Sequence, residues 1–230
     1  MALTEDRVAR WSRQLIVPGF GEAAQERLQA ARVRVVGADG VSSAALVALV
    51  QAGVGRLWLD DPEAVGPADR AGWLFPPASV GSDRAAAARA ALAPLSAYVS
   101  VDAYPTGGVP DATLVCAPSA AQAMAAAEAA RRARIPHVVV EVDGDGGAVI
   151  SVPPGAPCYA CARSAAGGGR PPAAGVAALA SLAAVELVQL VATPEVVGAG
   201  RRIELVRGMT SVRPTVRLAG CACAEAPAQG

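Results

Sequence analysis

The sequence contains no lysine and no asparagine, and all 20 of its basic residues are arginine. Chemistry that needs a lysine amine is thereby excluded: a Schiff base, a pyridoxal site and a P-loop lysine. Histidine occurs once, as His137 at the start of HVVVEVD, and reads as a strand residue rather than a catalytic base. Neither sign of charge is in excess, because 20 acidic residues balance the arginines. Nothing in that balance favours nucleic acid or an anionic membrane as a partner. Long apolar runs are missing as well, since Gly, Pro or Arg breaks each one short of a membrane span. The opening MALTEDRVARWSRQ lacks the apolar segment of a secretory signal. The expectation is a cytoplasmic protein with no nucleic-acid or membrane partner. With 53% hydrophobic residues over 230 positions, there is ample material for one core.

What is there is most informative between Arg32 and Asp61, RVRVVGADGVSSAALVALVQAGVGRLWLDD. Val33, Val35 and Val36 make a buried strand. Gly37 and Gly40 allow a tight turn, and Ser42 or Ser43 is placed to cap a helix carrying Leu46, Val47, Leu49 and Val50. A second strand then ends at Asp60 and Asp61, where an acid can hold ribose hydroxyls. Such a strand–turn–helix turns helix amides toward an anion. A dinucleotide fingerprint requires G-x-G-x-x-G, however, and Asp39 and Ser42 stand at its second and third glycines. Nucleotide binding and a purely structural βαβ unit both fit the loop.

Further along, Glu22–Ala31 reads as a helix, and residues 61–80 as a long loop rich in Pro, Gly and Ala. Ser82 is expected to cap the helix DRAAAARAALA, which Pro94 ends. Strands are expected at Tyr98–Tyr104, Ala112–Cys116, HVVVEVD and GAVISVP, with a helix over Ser119–Arg134. This alternation implies a doubly wound, Rossmann-like α/β domain, mostly parallel, with helices on both faces. Residues 164–175 read as a loop, Ala177–Val191 as an apolar helix, and RRIELVR and SVRPTVRLA as closing antiparallel strands before a frayed EAPAQG tail. The chain divides into a helical segment (1–31), a nucleotide-binding-type core (32–143) and a C-terminal extension (144–230), all one domain.

Five cysteines are present. Cys158 and Cys161 form a C-x-x-C pair, and Cys221 and Cys223 a C-x-C pair. Two such pairs suit a tetrahedral structural zinc that ties distant segments together, with no open position for catalysis. Free or disulfide-bonded thiols are the other possibility. Cys116, in ATLVCAP, reads as a buried core thiol.

RWSRQLIVPGFGEAAQERLQAARVRVVGADG, PCYAC and CAC, in that order, resemble the ThiF/MoeB/HesA family, bacterial relatives of ubiquitin-activating enzymes. The resemblance spans nearly the whole chain and is most specific from Arg10 to Gly40. It implies binding of ATP and magnesium, and adenylylation of the C-terminus of a ubiquitin-like sulfur carrier, within a homodimer. In that scheme Arg13 reaches the partner's ATP phosphates, or else makes a dimer salt bridge. Asp60 takes the ribose, and Arg84 stands where the family has a phosphate-contacting lysine.

Other positions depart from the family pattern. Asp39 puts a carboxylate where backbone meets phosphate. Ala68 and Ala71 replace an Asn and an Arg, leaving Arg70 one position early. Pro118 and Ser119 stand where an aspartate would bind magnesium, and Pro171 where a nucleophilic thiol would lie. Two readings follow. In the favoured one the chain is catalytically degenerate, binding a carrier protein or peptide C-terminus or pairing with an active homologue. The alternative is an active adenylyltransferase with an arginine-rich ATP site built from Arg13, Arg70 and Arg84 around Gly37 and Gly40.

Overall fold

The computed structural model describes residues 3–71, 73–117, 119–163 and 172–224. Two helices, α1 (Glu5–Leu15) and α2 (Gly21–Ala30), lead into strand β1 (Arg32–Val36), helix α3 (Ser43–Ala52) and strand β2 (Arg56–Asp60). Helix α4 (Arg84–Leu92) precedes β3 (Ser100–Ala103) and β4 (Ala112–Val115), and α5 (Ala120–Arg132) precedes the hairpin of β5 (His137–Asp143) and β6 (Gly146–Val152). The short α6 (Tyr159–Ala162), the long α7 (Ala173–Ala192), β7 (Arg201–Val206) and β8 (Met209–Pro214) complete the order. The eight strands form one sheet in the order β3-β2-β1-β4-β5-β6-β7-β8. Strands β1 to β5 pair in parallel and β5 to β8 antiparallel. The expected doubly wound core with an antiparallel extension is therefore the fold.

Both faces of the sheet are covered. Leu28, Leu46, Leu49, Leu92, Leu179 and Leu187 bring α2, α3, α4 and α7 onto one face, while Ala123, Ala127 and Tyr159 bring α5 and α6 onto the other. The alanine-rich faces of α5 and α7 allow close approach to the strands, which supply the bulk through Val and Leu. Helix α7 is long and apolar enough to cross a membrane, contrary to the expectation that no run reaches that length. It lies against α3, β5 and β6, and buried Glu186 receives Nε and Nη2 of Arg201 at 2.8 and 2.6 Å, tying it to β7. It also begins at Ala173, so residues 173–175, expected in a loop, are helical, while residues 164–171 of that expected loop lie outside the described residues; Val176, Leu179 and Ala180 bury its first turns.

Helix α1 buries one residue against the rest of the chain. Trp11 is buried and donates from Nε1 to the Gln51 carbonyl at 3.0 Å. Gly53 makes room for it: with φ at +89°, a Cβ there would stand 2.5 Å from the Trp11 ring. Two capping expectations are corrected. Asp83, not Ser82, caps α4, accepting from the Ala86 N–H at 2.6 Å. A carboxylate holds that N–H more strongly than a hydroxyl would, and the Ser82 hydroxyl turns back to the Ser79 carbonyl. Neither Ser42 nor Ser43 caps α3 through its side chain; both hydroxyls donate to the Asp39 carbonyl.

Candidate functional site

The strand order reverses between β1 and β4, and there a cavity of about 320 Å³ opens beyond the carboxyl ends of the strands. This is the position where doubly wound folds bind ligands. Val36, Gly37 and Ala117 form its floor, Asp60 and Glu63 one wall, and Gln122 and Ala126 of α5 the other. Gly37 is required on two counts. Its φ is +84°, and a Cβ would lie 2.5 Å from the Cys116 carbonyl oxygen.

Asp60 stands in the crevice as the sequence suggested, but it has a protein partner. Arg34 of β1 donates Nε to Asp60 Oδ2 at 2.9 Å and Nη2 to the same oxygen. The guanidinium lies 4.5 Å from the centroid of the Tyr104 ring. The signal for Arg34 was present in RVRVV. An arginine inside a buried strand needs a counter-ion, and β1 and β2 run in register with Arg34 opposite Trp58 and Val36 opposite Asp60.

The glycine turn is satisfied from within. Asp39 Oδ1 accepts from the Val41 N–H at 2.9 Å and the Ser42 N–H at 3.2 Å, so a side-chain carboxylate takes two amides of the turn just before α3. The Gly40 N–H donates to Asp69 Oδ1 at 3.2 Å, and the other oxygen of Asp69 accepts from the Gly66 N–H at 2.8 Å. Asp61 Oδ2 accepts from the Ala38 N–H at 2.6 Å. Asp61, offered by the sequence with Asp60 as a ribose-holding acid, and Asp69, to which sequence reasoning gave no role, are both buried carboxylates.

Arg84 joins them. Its Nη1 donates to Asp61 Oδ2 at 3.0 Å and its Nη2 to the Ala64 carbonyl at 3.0 Å. Its Nε lies 3.2 Å from Asp69 Oδ2, an ion-pair contact without hydrogen-bond alignment. Burial opposes the Arg84 charge, but the Asp61 hydrogen bond and the charges of Asp61, Asp69 and Asp39 outweigh it and raise the guanidinium pKa. Arg84 is thus a permanent cation engaged by two carboxylates. Arg70 is exposed on the turn over Pro67–Ala71, and Arg13 is exposed on α1; neither lines the crevice. Ser119 caps α5, its Oγ accepting from the Gln122 N–H. Pro118, Pro171 and the EAPAQG tail lie outside the described residues.

The second constellation is the cysteine cluster. Cys158 precedes α6, Cys161 lies within it, and Cys221 and Cys223 follow β8. The four Sγ atoms lie within 4.8 Å of one another, with Cys158–Cys161, Cys158–Cys221 and Cys161–Cys223 at 3.8, 3.6 and 3.5 Å. A tetrahedral ion with thiolates at about 2.3 Å needs edges of about 3.8 Å, so the four sulfurs fit a metal. None is in a disulfide, and Cys116 is a separate, buried thiol, as expected. Burial pushes the Cys158 thiol up to about 12 and also raises Cys161. Burial likewise opposes ionisation of Cys223, but hydrogen bonds from the Cys158 backbone and the neighbouring thiols bring it down to about 7. Ionising all four thiols calls for a bound cation.

The model of the ThiF family matches residues 11–224. The chain is a member of the ThiF family. Curated relatives of this ThiF protein include the mouse adenylyltransferase and sulfurtransferase MOCS3, 42% identical over 105 residues. That match covers 45% of this chain and 23% of MOCS3. The sulfur carrier protein adenylyltransferase of Thermus thermophilus is 38% identical over 106 residues, covering 46% of this chain and 39% of that protein. The matched parts are thus well under half of either relative. Among solved structures, Escherichia coli MccB with succinimide superimposes with a TM-score of 0.79 at 16% identity, covering 93% of this chain and 74% of that one. MccB with ATP gives 0.74 at 17% identity, covering 87% and 68%. At such identities the likeness is one of fold.

Proposed function

We propose that this ThiF-family protein is a non-catalytic subunit that keeps the activating-enzyme fold for binding. Its partner would be a ubiquitin-like carrier or peptide C-terminus, held alone or beside an active homologue in a dimer. The observation that carries this reading is the engagement of the glycine turn's amides, and of Arg84, by the chain's own carboxylates. Asp39 takes the Val41 and Ser42 amides just before α3, Asp69 takes the Gly40 amide, and Arg84 is engaged by Asp61 and Asp69. Adenylyl transfer needs positive charge gathered around the attacked phosphate, ordinarily with a metal. Here a triphosphate would meet Asp39, Asp61 and Asp69 first. The residues present therefore do not fit ATP and magnesium. An all-arginine site would require Arg84 to leave both partners, with Arg70 and Arg13 moved in from the surface.

The partner class rests on the relatives: one is named for adenylylating a sulfur carrier protein, and MccB is described in complex with the peptide MccA. Zinc at Cys158, Cys161, Cys221 and Cys223 is proposed as a structural ion, clamping the segment after β8 to α6. The reading is tested by measuring association with candidate carrier proteins and with active family members from the same genome, with and without ATP and magnesium. Saturable binding indifferent to the nucleotide is expected. Binding that requires ATP would overturn it.

A further inference from the structure

Strand β8 lies at the edge of the sheet farthest from β3, and among the described residues no strand but β7 pairs with it. All six of its residues are exposed, with Met209 at 72% and Val212 at 61%. We propose that this edge docks a second copy of the chain, the two β8 strands pairing antiparallel about a two-fold axis at Ser211. The turn before β8 fixes which backbone groups are free. Arg207 and Gly208 have φ of 51° and 79°, as a two-residue type I′ turn requires, so the flanking Val206 and Met209 exchange both hydrogen bonds. Alternation then turns the backbone of Ser211 and Arg213 inward to Glu204 and Arg202, and that of Thr210, Val212 and Pro214 outward. The next inward residue, Thr215, does donate to the Gly200 carbonyl at 2.9 Å, and Pro214, which has no N–H, stands at an outward position.

The edge lacks the free charge that ordinarily keeps a second strand away. Arg207 is paired with Asp145 and Arg213 with Glu204, both within the same chain. The outward groups are also self-complementary. With the axis at Ser211, Thr210 of each chain meets Val212 of the other, so both outward N–H groups of both strands find carbonyls. Pro214 falls beyond that stretch, where no donor is needed. The β-branched side chains of Thr210 and Val212 then lie side by side, Ser211 faces Ser211, and Met209 lies along the stem of Arg213. No like charges are directly opposed. Because each chain offers the same strand, the contact is isologous and closes, leaving no edge to propagate a fibre. One strand from each side makes a small interface, so a Kd on the order of 10–100 μM is expected. This surface is separate from the crevice and does not depend on whether ATP is used.

The test is sedimentation velocity of the full chain from about 1 to 300 μM, over which the wild type should pass from monomer to dimer. Val212→Pro removes an outward N–H and no hydrogen bond to β7, so it should weaken the dimer at least about tenfold while keeping the native circular dichroism. Ser211→Cys should form a covalent dimer on mild oxidation, because residues opposed in a non-hydrogen-bonded pair have Cα atoms about 4.5 Å apart. Thr210→Cys, displaced from its own copy by two residues along the strand, should not. Peptide mass spectrometry, with the wild type treated in parallel, separates such links from those of the native cysteines. If Val212→Pro does not fold, the two cysteine variants decide. A chain that stays monomeric throughout, a dimer unaffected by a folded Val212→Pro, or cross-linking no better at position 211 than at 210 would each overturn the inference. None of these results bears on the non-catalytic reading, which falls only if the protein activates a carrier with ATP.

Discussion

Replacing Arg84 by methionine removes the guanidinium and keeps much of the apolar stem. The side chains of Arg84, Asp61 and Asp69 are only 11%, 2% and 10% exposed, so the substitution strands two nearly buried carboxylates. Removing one member of a buried ion pair typically costs about 3–5 kcal/mol. Both aspartates keep backbone donors, Ala38 and Glu63 for Asp61, and Gly40 and Gly66 for Asp69. Those donors place the expected cost at the low end, about 3 kcal/mol. For a chain of this size that corresponds to a fall in Tm of roughly 6–12 °C. Thermal and urea unfolding followed by circular dichroism would measure it. Adding Asp69→Asn should recover about 1 kcal/mol, because one stranded charge is removed. A loss below about 0.5 kcal/mol for Arg84→Met would refute the reasoning, and would mean that Arg84 is held loosely enough to serve a ligand.

Three other outcomes are expected. Gly37→Ala should cost on the order of 3 kcal/mol in urea unfolding, because a Cβ at φ +84° would lie 2.5 Å from the Cys116 carbonyl oxygen; a neutral effect would mean that this turn is not as tight as described. His137 is held below its ordinary 6.5 by burial, assisted by Arg131 and opposed by the Ile135 carbonyl and Glu128. It is neutral when folded and charges on unfolding, so its share of stability is present above about pH 6.5 and is lost as the pH falls below it. Wild type should therefore lose up to about 1.4 kcal/mol more per pH unit below 6.5 than His137→Gln, and parallel pH profiles would count against this. Metal analysis should find one zinc per chain that is lost in Cys158→Ser and on acidification, since coordination needs thiolates; unchanged zinc in the variant would exclude the four-cysteine site.

Much of the fold was legible in the sequence because periodicity and turn chemistry are local. RVRVV, the glycine turn and the apolar helix after it fixed β1, α3 and β2, and the two cysteine pairs gave a cluster although 63 positions separate Cys158 from Cys221. The interior of the site was less legible, because it depends on which loop folds back. Asp69 reaches Gly40 across 29 positions, from a stretch in which the sequence drew attention only to Ala68, Arg70 and Ala71. No local pattern marks a carboxylate as the partner of a distant amide. Arg34 could have been read: a charged side chain in a strand beside an acid at the end of its parallel neighbour implies a pair. Asp83 in place of Ser82 as the α4 cap is a slip of one residue, decided by the stronger acceptor.

The central claim, that the chain no longer activates a carrier with ATP, is tested most directly by ATP–pyrophosphate exchange in the presence of candidate carrier proteins and magnesium. The account predicts no exchange above background for the wild type. Exchange that depends on the carrier and is abolished by Arg84→Met, in protein shown to remain folded, would contradict it.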